Sequence, residues 1–241
     1  MIPISTKKVN CKDCHRCVRS CSVKAIAIKQ GHAQLVDKKC VLCGKCITEC
    51  PQQAKQVEDQ TGTVLTALRS GRKVVISLAP SFIASFPDMT LEKLRSDLSA
   101  VGFWAIEETA VGAEIVASHY RQAVNNSNKT VISSCCPVIV SLIKKYYPTL
   151  VENLAPVLSP MLVHAKLLKH KHGNDCFVVF TGPCIAKIAE AKNNSPLIDA
   201  VLTFNQLNSL LAKLKPVNAA GEMAEQPDNS VTKPYKYARM F

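Results

Sequence analysis

The chain has 241 residues, 47% of them apolar, a formal net charge of +12 and 12 cysteines. No apolar run approaches the roughly 18 residues of a membrane span, and residues 1–10 lack the apolar stretch of a secretory signal, so the cysteines are expected as reduced thiols in a cytoplasmic setting rather than as disulfides. The cations stand singly or in pairs such as Lys7-Lys8, Lys38-Lys39 and Lys144-Lys145, and only 5% of the chain is aromatic. That distribution argues against a nucleic-acid surface and for a solvated basic face suited to an acidic redox partner or signalling protein.

Residues 11–51 hold eight of the twelve cysteines in two copies of one spacing, CxxCxxCxxxC. The first copy is Cys11, Cys14, Cys17 and Cys21; the second is Cys40, Cys43, Cys46 and Cys50, followed by Pro51. This is the spacing of a ferredoxin with two [4Fe–4S] clusters, in which three closely spaced thiolates hold one cube and the fourth reaches the other. The expected sets are therefore Cys11, Cys14, Cys17 and Cys50 on one cluster, with Cys40, Cys43, Cys46 and Cys21 on the other. A structural zinc site takes four ligands, so two runs of four thiols are over-supplied for it. Ser22 stands where the second copy has Pro51, which loosens a turn and removes no ligand. Two oxidised cubes at about −2 each would lower the formal charge to about +8.

The repeat extends past the thiols. VKAIAIKQGHAQLVD follows the first run and PQQAKQVEDQTG the second, so each half is expected to end in a short helical turn and a strand. Residues 1–59 thus read as one ferredoxin-type domain, too small for a large apolar core and stabilised mostly by its metal. Residues 60–72, with TVLTALRSG closed by Gly71, read as a connecting helix.

Residues 73–215 alternate strands and helices. KVVISLAP is an apolar run of the kind buried on both faces of a sheet. A helix TLEKLRSDLSAVG follows, with Thr90 as N-cap and Gly102 at its end. Then come FWAIEET, the helix GAEIVASHYRQAV, the strand TVISS, the helix VIVSLIKKYY stopped by Pro148, the helix PMLVHAKLLKHK, the strand CFVVFTG, and AVLTF leading into NQLNSLLAKLK. The alternation predicts an α/β fold with a mostly parallel sheet covered by helices. Residues 216–241 have turn and charge composition and read as an irregular tail.

Ligands in such sheets sit past the carboxyl ends of strands, and two cysteine segments are expected there. SSCCP (residues 133–137) carries Cys135 and Cys136, whose side chains point apart in an extended turn, so the two are not expected on one iron. TGPCIAKIAE (residues 181–190) places Cys184 at the head of a helix, with Lys187 and Glu190 along one face. Cys176 and His164 are expected as ordinary buried residues, the histidine hydrogen-bonded, and not as ligands.

A two-cluster ferredoxin module followed by these two motifs resembles the iron-only ([FeFe]) hydrogenase family. SLAPSF, EETAVGAE and YYPTLVENLAPVLSPMLVHAKLLK are most similar to its bacterial branch regarded as sensory or regulatory. The resemblance implies a partial hydrogenase-like domain and, beyond the two ferredoxin clusters, a partial or complete H-cluster, a cube joined to a two-iron centre. It implies that Cys136 and Cys184 hold the cube, that Cys135 passes protons to the two-iron centre, that Lys187 contacts a cyanide ligand, and that Glu190 is the acidic end of the same motif.

The chain also departs from the family. No cysteine follows Cys184 to supply the third motif, which Glu222-Met223-Ala224 echoes only faintly. Gly182 stands where hydrogenases that turn over have methionine, Ile139 replaces a tryptophan, and Ala117-Ser118-His119-Tyr120-Arg121 occupies a helix that carries relaying glutamates in those enzymes. The expected role is redox or hydrogen sensing with an incomplete H-cluster site. The alternatives are a catalytic hydrogenase whose remaining ligands lie outside this chain, on another chain or in further sequence, and an assembly or scaffold protein carrying cubes only.

Overall fold

The computed structural model describes residues 2–214; the expected tail, with Glu222-Met223-Ala224, lies outside the described residues. In chain order the elements are β1 (Ile4–Thr6), α1 (Arg16–Ser20), β2 (Ile26–Lys29), β3 (His32–Leu35), α2 (Lys45–Thr48), β4 (Lys55–Val57), α3 (Thr61–Arg69), β5 (Val74–Leu78) and α4 (Phe82–Ser85). They continue as α5 (Leu91–Ala100), β6 (Ala105–Glu108), α6 (Ala110–Asn125), α7 (Pro137–Tyr146), α8 (Pro160–His172), β7 (Phe177–Thr181), α9 (Ala186–Asn193), β8 (Ala200–Leu202) and α10 (Phe204–Lys213). Among the described residues, no helix is long and apolar enough to cross a membrane.

Packing divides the chain into two compact units, each assembled from separated segments. The first joins Met1–Asp59 with Gln122–Val157 and Cys184–Asn193. The second comprises Gln60–Arg121, Leu158–Pro183 and, among the described residues, 194–214.

In the second unit four parallel strands are ordered β6-β5-β7-β8. Every residue of β5 and β7 is buried, so the apolar runs VVISL and FVVFT are covered on both faces, as parallel strands require. Helix α8 lies against β5 and β7, while α3 and α10 pack with β8. The helix starts follow local chemistry. Thr90 caps α5, its hydroxyl accepting from Lys93 N at 3.1 Å, and Thr203 and Gln206 form a reciprocal capping box at the start of α10. Gly112 lets α6 press against α8, since a Cβ there would lie 2.8 Å from His164 Cβ.

In the first unit β1 pairs with β4 and β2 with β3, both antiparallel. Its core holds Ile4, Cys17, Ile26, Ala33, Cys46 and, from far along the sequence, Ile185. The stretch TVISS, expected as a strand, forms only one bridge, Ile132 to Leu154, with Ile132 N donating to Asn153 O at 2.7 Å and its own carbonyl accepting from Ala155 N at 2.8 Å. Two apolar residues followed by two serines cannot bury both faces of a sheet strand, and residues 130–134 stay partly or fully exposed. Of the two cysteine segments expected at strand ends, TGPC follows β7 and SSCCP follows this bridge.

Candidate metal centres

The backbone around the first eight thiols repeats itself. Asp13 and Leu42, second after the first cysteine of each run, both have positive φ (52° and 63°), as do His15 (59°) and Gly44 (79°) after the second cysteines, and Lys24 (50°) and Gln53 (49°) three residues past the fourth. Non-glycine residues adopt this left-handed conformation at a cost of about 1–3 kcal/mol each. Alternation of right- and left-handed residues turns successive N–H groups inward into the concave nests that bind anionic groups, iron–sulfur clusters among them. The fourth cysteine of each run accepts a matched hydrogen bond, Ala25 N to Cys21 Sγ at 3.2 Å and Ala54 N to Cys50 Sγ at 3.3 Å. Leu42 N adds another to Cys40 Sγ at 3.4 Å.

The fourth thiol of each run lies with the other run. A hollow is lined by Cys11, Cys14, Cys17 and Cys50, with Thr6 and Lys55 on its wall. Burial pushes the Cys17 thiol up, Lys55 opposes this, and nearby Cys50, Cys11 and Cys14 add to the rise. Cys40 is likewise raised by burial, with Leu42 N opposing and Cys43 and Cys21 adding. Burial carries Cys46 up to about 11, again against Lys55 and with Cys40 and Cys43 beside it. Exposed Cys14 goes the other way, lowered chiefly by the backbone N–H of Arg16. Among the described residues, no three Cys, His, Asp or Glu side chains converge on a point that one ion could fill. Two sets of four thiols, with backbone N–H groups donating to Cys21, Cys40 and Cys50 Sγ, fit a [4Fe–4S] group each rather than a single ion.

The downstream motifs meet in the same unit. Helix α7 starts directly after Cys136, with Pro137 at its first position, and packs on α9, which begins two residues after Cys184. Lys187, 9% exposed, donates to Glu190 Oε2 at 2.7 Å and to the Cys135 carbonyl at 3.2 Å. The Cys135 thiol is exposed and accepts from Ser133 Oγ at 3.2 Å. Cys136 and Cys184 are both partly exposed. A cube takes four thiolates, so these two thiols alone do not hold one.

Four residues to which the sequence assigned no site role also contribute. Ile185, next to Cys184, sits in the core with Cys17 and Cys46, close to Gly44, where a Cβ would lie 3.2 Å from its Cδ1. Lys145 and Tyr146, at the end of α7, donate to the carbonyls of Cys40 (2.6 Å) and Lys39 (2.7 Å) beside the second run. Lys55 is buried within the thiol region, visible in advance only by aligning the two halves.

Cys176 and His164 are fully buried in the second unit. The histidine departs from expectation in one respect: Nδ1 pairs with Ser77 Oγ at 2.8 Å, but Nε2 is buried without a partner. Gly182 is closed in by its neighbours, since a Cβ there would meet the Phe180 ring at 2.9 Å and Ala79 Cβ at 3.0 Å.

Eight thiols in two repeated runs, the fourth of each lying with the other run, have the pattern of a dicluster iron–sulfur protein, and a 4Fe-4S dicluster domain model matches residues 10–54. The model described as iron only hydrogenase large subunit, C-terminal domain, matches residues 72–241: the chain belongs to the iron-only hydrogenase large-subunit family. It is 27% identical to iron hydrogenase 1 of Clostridium pasteurianum, over 88% of this chain and 44% of that protein. It is 24% identical to the cytosolic Fe-S cluster assembly factor NAR1 of Scheffersomyces stipitis, over 74% of this chain and 39% of that one. The chain thus spans less than half the length of these relatives. A variant of apo [FeFe]-hydrogenase HydA1 from Chlamydomonas reinhardtii shares the fold, with a TM-score of 0.55 and 22% identity, over 66% of this chain and 50% of that one.

Proposed function

We propose that this hydrogenase-like iron–sulfur protein passes single electrons through two ferredoxin-type clusters in a redox- or hydrogen-sensing role. The observation that carries this reading is Ile185, which packs the residue beside Cys184 into one core with Cys17 and Cys46. A [4Fe–4S] group supplies one-electron storage when bound. Under this reading Cys11, Cys14, Cys17 and Cys50 hold one such group and Cys21, Cys40, Cys43 and Cys46 the other. The matched N–H to Sγ bonds on Cys21 and Cys50 hold those two sulfurs in place. Cys136 and Cys184 are the ligands available to a third centre, with Lys187 and Glu190 held beside Cys135. Exposed Lys12 and Arg19 near Cys14 suit an acidic redox partner or signalling protein.

Sensing is favoured over turnover by Gly182, where the packing of Phe180 and Ala79 leaves no room for the methionine of working enzymes. Iron counted after anaerobic reconstitution tests the reading: about eight per chain is expected from two cubes. Carbonyl and cyanide infrared bands with more iron would instead indicate a loaded H-cluster and favour the enzyme. Similarity to the assembly factor over 74% of the chain favours a second reading, iron–sulfur assembly. Transfer of iron to an apo acceptor protein, with no reversible redox response, would support that one.

A further inference from the structure

The two halves of the ferredoxin module match closely after their fourth cysteines and then diverge at one position. Lys24 and Gln53 share a left-handed backbone, and Ala25 and Ala54 share the N–H to Sγ bond. The next residue is Ile26 in the first half and Lys55 in the second. Both are buried, at 8% and 5% exposure, so an ammonium occupies a position that its counterpart fills with hydrocarbon.

A buried ammonium gives up its hydration, and that cost is offset by hydrogen-bond acceptors and by counter-charge close to it. Lys55 Nζ donates to Thr6 Oγ1 at 2.5 Å and to Ala33 O at 2.8 Å, which are neutral oxygens. None of the ion pairs among the described residues includes it. The side chain lines the hollow of Cys11, Cys14, Cys17 and Cys50. Its charge also reaches the buried thiol of each set, Cys17 in one and Cys46 in the other.

We propose that Lys55 is a buried counter-charge shared by the two clusters, raising the reduction potential of both. The role rests on the eight cysteines being the cluster ligands. An electron added to an already anionic cluster is stabilised by a fixed ammonium in a low-dielectric interior, where salt screens little. Net charge near a cluster is one of the determinants of its potential. Lys55 is a positioning residue here: it acts on the clusters' energy and ligates nothing.

The test compares the reconstituted full chain with Lys55→Ile, the residue of the first half, and with Lys55→Arg, which keeps the charge. Redox titration with dithionite is followed by electron paramagnetic resonance, with iron counted in parallel. In Lys55→Ile both midpoints are expected to become more negative, by about tenfold in the reduced-to-oxidised ratio or about 59 mV for a one-electron couple, at unchanged iron content. Lys55→Arg is expected to stay near the parent. Unchanged midpoints in a loaded Lys55→Ile chain, or equal shifts in both variants, would overturn the proposal. If Lys55→Ile does not load, Lys55→Gln is read the same way; failure of both to load makes the residue structural and also overturns it. A parent chain well short of about eight iron atoms would instead remove the ligand reading, and this role with it.

Discussion

The thiol-rich region Met1–Asp59 and the parallel sheet are held together by different means. The sheet buries Val74, Val75, Ile76, Leu78, Val178 and Val179 completely, and such burial stabilises by about 1.5–3 kcal/mol per large side chain. The thiol region buries mainly small residues, Ala25, Ala33 and Ala54, and two of its core residues are the cysteines Cys17 and Cys46. It also carries six non-glycine residues at positive φ, a strain its own contacts do little to offset. A short chain can hold such a backbone when a bound group joins thiols from both halves, so under the proposed ligation the clusters would supplement a small core.

Removing the metal should therefore separate the two regions most strongly. Anaerobic chelation is expected to abolish hydrogen-exchange protection in β1, β2, β3 and β4 while β5 and β7 keep theirs. Equal loss in both regions would mean that the sheet too depends on the metal. The next largest effect is in the thiols. Cys50→Ala should lose the signal of the cluster assigned to Cys11, Cys14 and Cys17, and Cys21→Ala the other, each costing about half of the iron; the opposite pattern in spin resonance would break the crossed pairing.

Acid sharpens the contrast from the side of the sheet. Burial holds His164 at about 4 against an ordinary 6.5, so below pH 6.5 the unfolded chain takes up a proton that the fold refuses until about pH 4. Stability should fall across that window, and at pH 5 the loss from this residue is on the order of 2 kcal/mol. Glu107 acts in a lower window. Burial pushes it up, but hydrogen bonds from His172 and Lys171 outweigh that and hold it near 2, so its contribution is complete above about pH 4.5 and is lost as pH falls toward 2. Denaturant unfolding at pH 7 and pH 5, followed by Trp104, the one tryptophan in the chain, should show a smaller pH loss in His164→Gln than in the parent. Equal losses would place the acid sensitivity elsewhere. The smallest effect is local: Thr90→Ala removes the α5 cap and should cost about 1 kcal/mol, read by the same unfolding curve at pH 7.

How much of this was legible in the chain depended on whether the signal was local. The CxxCxxCxxxC runs display their chemistry in eleven residues each, and VVISL and FVVFT announce buried parallel strands by lacking any polar alternation. Thr90 and Gly102 mark their helix by backbone needs that one residue type satisfies. TVISS looked like a strand because β-branched residues favour one, but it lacks a second buried face. The unpaired Nε2 of His164 depends on what surrounds α8, which no pattern along α8 reveals. Ile185 against Gly44, and the clustering of Gln122–Val157 and Cys184–Asn193 with the first 59 residues, arise between segments more than sixty residues apart, where spacing carries no information. Lys55 was readable only as a mismatch with Ile26 once the halves were superposed.

In the proposed role this chain stores and passes electrons without turning over hydrogen. Hydrogen evolution from the reconstituted 241-residue chain with reduced viologen tests it most directly. The clusters are expected to reduce reversibly with dithionite with no sustained hydrogen formed; robust evolution abolished by Cys135→Ala would overturn that role.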